Sequence, residues 1–211
     1  PGTPDIPMPK LDEVKHLMLD EVAEFAEYEA GNVDFSHVPL ADIERVKADP
    51  VLSAEYRSAP NLCTYYYGFN TKAPFVDDVR VRKALSMAID RQGLIDNVLK
   101  AGQEPAQWFS RPGLVAAPTM ADYPDLGIPY DAAGAKALID EYLAEKGITA
   151  ADVDITLMFN TSSGHQKIAE AIQQMWKTNL GLDIKVTNQE WKVFLETVRD
   201  PVATPQIYRM G

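Results

Sequence analysis

At 211 residues, 46% hydrophobic and 24% charged, the chain has ordinary globular composition and enough length for a sizeable core in one domain. A net charge of −11 opposes binding to phosphate backbones and to anionic membrane surfaces, so nucleic acid is not an expected partner. Apolar runs extend only a few residues, far short of the roughly 20 needed to span a bilayer.

Residues 1–9 carry four prolines and predict an extended lead-in, without the basic region and apolar core of a secretory signal. Leu11, Val14, Leu17, Met18 and Leu19 suggest a strand over 10–19. An acidic helix follows over 20–30, with Val22, Phe25 and Ala26 inward, stopped by Gly31. Its Glu21, Glu24, Glu27 and Glu29 read as a solvated face rather than a metal site. A short strand and turn are predicted over 32–38, a helix opened by Pro39 and ended by Pro50, and a short extended piece over 51–58.

Residues 61–91 hold the densest local grammar. The aromatic and β-branched run at 62–69 fits a strand covered on both sides, with Cys63, Tyr65 and Tyr67 on one face and Thr64 and Tyr66 on the other. A polar turn at 70–74 leads to a helix capped by Asp77 or Asp78, whose stripe Val81, Ala84, Leu85, Ala88 has i, i+3, i+4, i+7 spacing. A second helical run with Leu94, Ile95, Val98 and Leu99 closes at Gly102. Residues 103–129 are loop-rich, with five prolines, and are long enough to drape over the surface or border a site. Asp131 then caps a helix carrying Ala135, Leu138, Ile139 and Tyr142, ended by Gly147.

The last third alternates strand (154–159), helix (163–180), strand (182–187), helix (190–198) and strand (206–209), a pattern that implies parallel pairing through right-handed crossovers. Ligands of open α/β sheets bind beyond the carboxyl ends of parallel strands. That rule selects residues 160–165, 188–191 and 209–211. A helix N-terminus welcomes a carboxylate, His165 and Arg209 can add charge-assisted hydrogen bonds, and Trp191 offers a flat apolar wall. Each also has a structural reading: His165 as a surface histidine, Trp191 as core packing, Arg199 as a helix C-terminal charge and Arg209 as an edge residue.

The order Tyr65-Tyr66-Tyr67, Asn70, Pro74-Phe75, Asp78-Val79-Arg80-Val81-Arg82, Ala84-Leu85 and Ala88 to Arg91 resembles the type-5 extracellular solute-binding proteins, the peptide-binding subunits of ABC importers. Gly31 to Asp34 also match the family, and the oligopeptide-binding branch is matched by Asn160-Thr161-Ser162 with His165 and by Asn188 to Lys192 with Phe194 and Leu195. The resemblance covers about residues 11–211. It implies an α/β, periplasmic-binding-protein-like lobe with a mixed, partly parallel sheet flanked by helices, and residues 1–211 as one incomplete ligand-binding lobe of a two-lobed protein. It assigns peptide binding to Tyr66, Asn160, His165, Trp191 and Arg209, and to Arg199 through a one-residue insertion. Gly68 stands where the relatives have an acidic residue. A family Asp that pairs with the ligand's amino group belongs to a segment following Gly211.

The implied function is substrate capture for an ABC importer. The expected partners are an oligopeptide and the permease subunits, with a monomeric protein in the periplasm or outside the cell and a lipid anchor left open. No cofactor or metal is expected. Cys63, the single cysteine, reads either as a small buried hydrophobe or, as the resemblance favours, as half of a disulfide whose partner lies outside this chain. Two alternatives stand beside this reading. One is the same fold binding a dipeptide, nickel, haem or a sugar. The other is a hydrolase using His165 as general base near Ser162 or Ser163, against which stand the absent G-x-S-x-G and H-E-x-x-H motifs and only three widely spaced histidines (His16, His37, His165).

Overall fold

A computed structural model describes residues 10–59 and 61–211, so the lead-in expected at 1–9 lies outside the described residues. The chain forms two compact units, residues 1–39 and 40–211. In the first, α1 (Glu21–Glu29) starts where the Asp20 carboxylate accepts from the Val22 and Ala23 N–H groups at 3.0 and 2.9 Å, a standard N-cap. Phe25 is its buried residue, whereas Val22 is exposed rather than inward. The strand expected over 10–19 does not form: its apolar residues alternate unevenly and no described strand offers them ladder partners. The strand expected within 32–38 is likewise absent.

In the second unit, α2 (Ile43–Ala48) buries Ile43 and Val46. Residues 51–58, expected to be extended, instead contain the helical turn α3 (Leu52–Glu55). The Asp49 carboxylate accepts from the Val51 and Leu52 N–H groups at 2.8 and 2.9 Å, and Pro50 occupies a position where a missing N–H costs nothing. Strand β1 (Tyr66–Phe69) is shorter than the predicted 62–69, because its ladder with β4 (Ile207–Met210) begins at Tyr66 paired with Met210.

The predicted stripe holds in α4 (Val79–Met87), where Val81, Ala84, Leu85 and the following Ala88 are buried. Asp78 caps this helix, accepting from the Arg80 N–H at 2.8 Å. The Arg80 guanidinium binds Asp78 at 2.7 Å and reaches Glu141 and Glu145 of α6 (Ala132–Lys146) at 2.9 and 2.7 Å, clamping the two helices. The Arg80 bonds lower the Asp78 pKa to about 2. Asp78 therefore contributes stability that is present above the ordinary carboxylate pKa near 3.8 and is lost as pH falls from there through about 2. Asp78→Asn should lower the melting temperature at pH 7, with the deficit narrowing as melts are repeated at pH 4, 3 and 2. A deficit independent of pH would show that the ion pair is not its cause.

Helix α5 (Arg91–Leu94) runs into a π-turn (Ile95–Leu99), closed by Lys100 at φ 55°. Strand β2 (Thr156–Asn160), α7 (Ser163–Leu180), β3 (Lys185–Gln189) and α8 (Trp191–Arg199) then lead to β4. The sheet order is β1-β4-β2-β3, with β2 parallel to both β3 and β4 and β1 antiparallel to β4. This is the mixed, partly parallel sheet flanked by helices that the sequence predicts. Ile155, Leu157, Phe159 and Ile207 of one face join residues of α4, α6 and α7 in the core. The chain steps from β2 to β3 in one direction and from β3 to β4 in the other, so right-handed crossovers place α7 and α8 on opposite faces.

Candidate functional site

Parallel β2, β3 and β4 end at one edge of the sheet, and antiparallel β1 begins there. The edge therefore gathers Asn160 from β2, His165 from the first turn of α7, Trp191 from the start of α8, Arg209 from β4, and the tyrosines entering β1.

Arg209 is the centre of the cluster. It is only 8% exposed, a rare state for a cation. One terminal nitrogen donates to Asn160 Oδ1 and the other to the Gly211 carbonyl, both at 3.0 Å. The Tyr65 ring lies with its centroid 4.6 Å from the guanidinium carbon, within cation–π range. Tyr65 Oη stands 3.3 Å from His165 Nδ1, and the two rings are 5.6 Å apart. Tyr67 meets Tyr65 edge-on at 5.8 Å. Among the described residues, Asn160 and the Tyr65 ring are neutral partners, and no Asp or Glu side chain pairs with Arg209. Its Nε, like Tyr67 Oη and Gln189 Oε1, is buried with no hydrogen-bond partner.

Burial pushes the Tyr65 and Tyr67 phenols upward, strongly for Tyr67, and the Arg209 charge opposes that shift. Both phenols therefore remain neutral donors at physiological pH. A desolvated cation without a counter-charge costs several kcal/mol, and an incoming anion would offset that cost.

The other predicted residues make no hydrogen bond or cation–π contact with Arg209. Tyr66 points to the opposite face of β1, where its ring meets Phe109 of the 103–129 loop edge-on at 5.1 Å. The Thr64 hydroxyl donates to the Phe109 carbonyl at 2.9 Å and ties this loop to the strand. Trp191 is 46% exposed and stacks on buried Phe194 at 5.9 Å, so it is a wall at the edge rather than core. Arg199 is exposed at the C-terminal end of α8, opposite the edge from which that helix starts, and does not join the cluster. Cys63 is an exposed free thiol.

Ser162 Oγ accepts from the His165 N–H at 3.4 Å as the cap of α7. Among the described residues, no three His, Cys, Asp or Glu side chains are grouped to hold a metal ion. Tyr65 and Tyr67 are the site residues that sequence reasoning missed. Their signal was parity: Tyr67 pairs with Arg209 across the β1–β4 ladder, which puts 65 and 67 on the face of the buried cation and 66 on the other. Finding them required knowing that β1 and β4 are neighbours.

The sequence at 7–206 matches the family described as bacterial extracellular solute-binding proteins, family 5 Middle. The chain belongs to that family. It is 34% identical over 214 residues to the oligopeptide-binding protein OppA of Bacillus subtilis, covering 96% of this chain and 37% of that protein. It is 37% identical to the periplasmic murein peptide-binding protein MppA of Escherichia coli, covering 89% of this chain and 34% of that one. It is also 34% identical to the probable deoxycholate-binding periplasmic protein YgiS of E. coli, over 90% of this chain and 35% of that protein.

The solved murein tripeptide-binding protein MppA of E. coli superposes with a TM-score of 0.74 at 34% identity, over 90% of this chain and 36% of that one. Haemophilus influenzae OppA, solved in complex with the peptide RPPGFSPFR, gives 0.70 at 26% identity, over 90% of this chain and 37% of that one. These relatives are binding proteins, and the chain spans about a third of their length.

Proposed function

We propose that this chain forms one lobe of the substrate-binding component of an ABC-type importer, which captures oligopeptides between two lobes and delivers them to the membrane permease. The observation that supports it is Arg209, a buried cation that no described Asp or Glu side chain pairs with, set at the strand edge with Asn160, His165 and the Tyr65 ring. A peptide carboxylate would complete that charge, and hydrogen bonds along the peptide backbone would add affinity without demanding one sequence. The protein would act as a periplasmic or extracellular monomer, with or without a lipid anchor. Cys63 would pair with a cysteine outside this chain.

The relative named for deoxycholate, itself a carboxylate, gives a second reading: the same cation would suit a non-peptide anion. Thermal shift of the full two-lobed protein separates the two readings. Tri- to pentapeptides with free carboxylates should raise the melting temperature, C-terminal amides should do so less, and deoxycholate should not compete with the peptides. No shift with any peptide would overturn the peptide reading.

Closure of two lobes carries a further expectation. The isolated 211-residue chain offers one wall of the site, so its peptide affinity should be weak or undetectable by calorimetry. Micromolar binding by this chain alone would contradict the two-lobe mechanism.

A further inference from the structure

Tyr65 is the residue that joins the strand-end cluster. It stands one position before β1, whose ladder with β4 begins at Tyr66, so its place is set by neighbours outside that ladder. Gly211 packs against its backbone: a Cβ added at Gly211 would meet the Thr64 carbonyl oxygen at 2.6 Å and Tyr65 Cα at 2.8 Å, closer than real side chains approach. The Thr64 hydroxyl donates to the Phe109 carbonyl, and the Tyr67 ring meets Tyr65 edge-on at 5.8 Å. So held, the Tyr65 ring covers the Arg209 guanidinium at 4.6 Å and carries its hydroxyl to 3.3 Å from His165 Nδ1. Arg209 is 8% exposed and Tyr65 37%. The cation therefore lies beneath the ring, and part of the ring stays at the surface beside half-buried His165.

A neutral imidazole has one N–H and one bare nitrogen, and the hydrogen bond made by either nitrogen decides which is which. The Tyr65 phenol keeps its proton at physiological pH, and the guanidinium under its ring draws electron density from the hydroxyl, which favours the role of donor. A hydroxyl donating to Nδ1 puts the imidazole proton on Nε2, the nitrogen that faces away from Tyr65. Resting on the peptide reading above, we infer that Tyr65 is a positioning residue of the site: its hydroxyl holds His165 in the Nε2–H form, so that His165 meets the peptide as a donor. A bare nitrogen in that place would repel a carboxylate or a backbone carbonyl. Tyr65 thus serves two donors through different parts of one side chain, Arg209 through the ring and His165 through the hydroxyl, and the two parts can be removed separately.

The test uses the full two-lobed protein at a pH well above the ordinary imidazole value of about 6.5, with tri-, tetra- and penta-alanine as probes and affinities measured by calorimetry. Tyr65→Phe keeps the ring over Arg209 and removes only the hydroxyl. It should weaken binding of at least one of these peptides about fivefold, the scale of one hydrogen bond. In a His165→Ala background the same change should cost less than about twofold, because the group it acts through has gone. A hydroxyl that merely supports the fold would cost the same in both backgrounds. Imidazole nitrogen NMR, with the His165 signals assigned by their loss in His165→Ala, should show the Nε2–H tautomer in the parent and a mixture in Tyr65→Phe. Unchanged affinity in Tyr65→Phe, equal losses in the two backgrounds, or an unchanged tautomer overturns the inference while leaving the peptide reading intact. Failure of all three peptides to bind the parent protein overturns both.

Discussion

Replacing Arg209 by methionine in the two-lobed protein should weaken peptide binding by about a hundredfold or more, and should leave the unliganded protein as stable as before or more so. Charge-assisted hydrogen bonds contribute about 1.5–3 kcal/mol each, and a guanidinium presents two parallel donors to a carboxylate, so losing both carries the affinity past the hundredfold mark. The stability expectation runs the other way because the cation is buried among Asn160 Oδ1, the Gly211 oxygen and the Tyr65 ring, with no described Asp or Glu side chain to balance it. Substituting a buried charge by an apolar side chain of similar length is often neutral or stabilising.

Arg209→Lys should fall between, since an ammonium cannot bond Asn160 and Gly211 in the same fork geometry. Calorimetry and thermal melts on the same preparations give both readouts. An affinity loss below about threefold, or a large fall in melting temperature with affinity retained, would show that Arg209 holds the fold rather than the ligand.

The sequence carried the scaffold further than the site, for physical reasons. Helix signals are local: Asp78, one of the two predicted candidates, and Asp131 cap their helices, Ser162 caps a third, and Gly147 and Gly181 end two of them in the left-handed conformation. Apolar period therefore located α4, α6 and α7 well. Strands depend on a partner that can lie far along the chain, as β4 does for β1. The run at 62–69 narrowed to Tyr66–Phe69 because its ladder partner begins pairing there, and apolar residues 10–19 found no described ladder at all.

The same non-locality explains the site. Asn160, His165 and Arg209 were legible from strand ends, but the phenols completing the cluster enter through an antiparallel neighbour that no spacing rule identifies. Trp191 illustrates the remaining ambiguity. It lies on an apolar helix stripe, yet as the first residue of α8 it projects at the edge and stays 46% exposed.

Trp176→Ala should be the most damaging single change to stability, about 3–5 kcal/mol, the usual cost of emptying a large aromatic site. Trp176 is 1% exposed in the core, and its indole Nε1 donates to the Leu85 carbonyl at 2.8 Å. That carbonyl belongs to the last turn of α4, where backbone acceptors run out of intrahelical donors. Asn179 serves the next such group, donating to the Ala88 carbonyl at 2.8 Å. Helix α7 thus finishes α4, and the first turn of the same α7 places His165 against Tyr65.

Trp176→Phe separates the two contributions. It retains most of the buried ring but strands the Leu85 carbonyl, so it should cost about 1–3 kcal/mol, the penalty of one buried unsatisfied acceptor together with a small cavity. Denaturant melts that rank alanine well below phenylalanine, and phenylalanine below the parent, would support this division. Equal losses for the two variants would place the whole effect in the hydrogen bond. Peptide affinity gives the second axis, because below its unfolding transition Trp176→Phe should bind within about threefold of the parent, whereas Arg209→Met loses binding at unchanged stability. Opposite responses of these two variants would separate a scaffold in which α7 completes α4 from a site that depends on one buried cation.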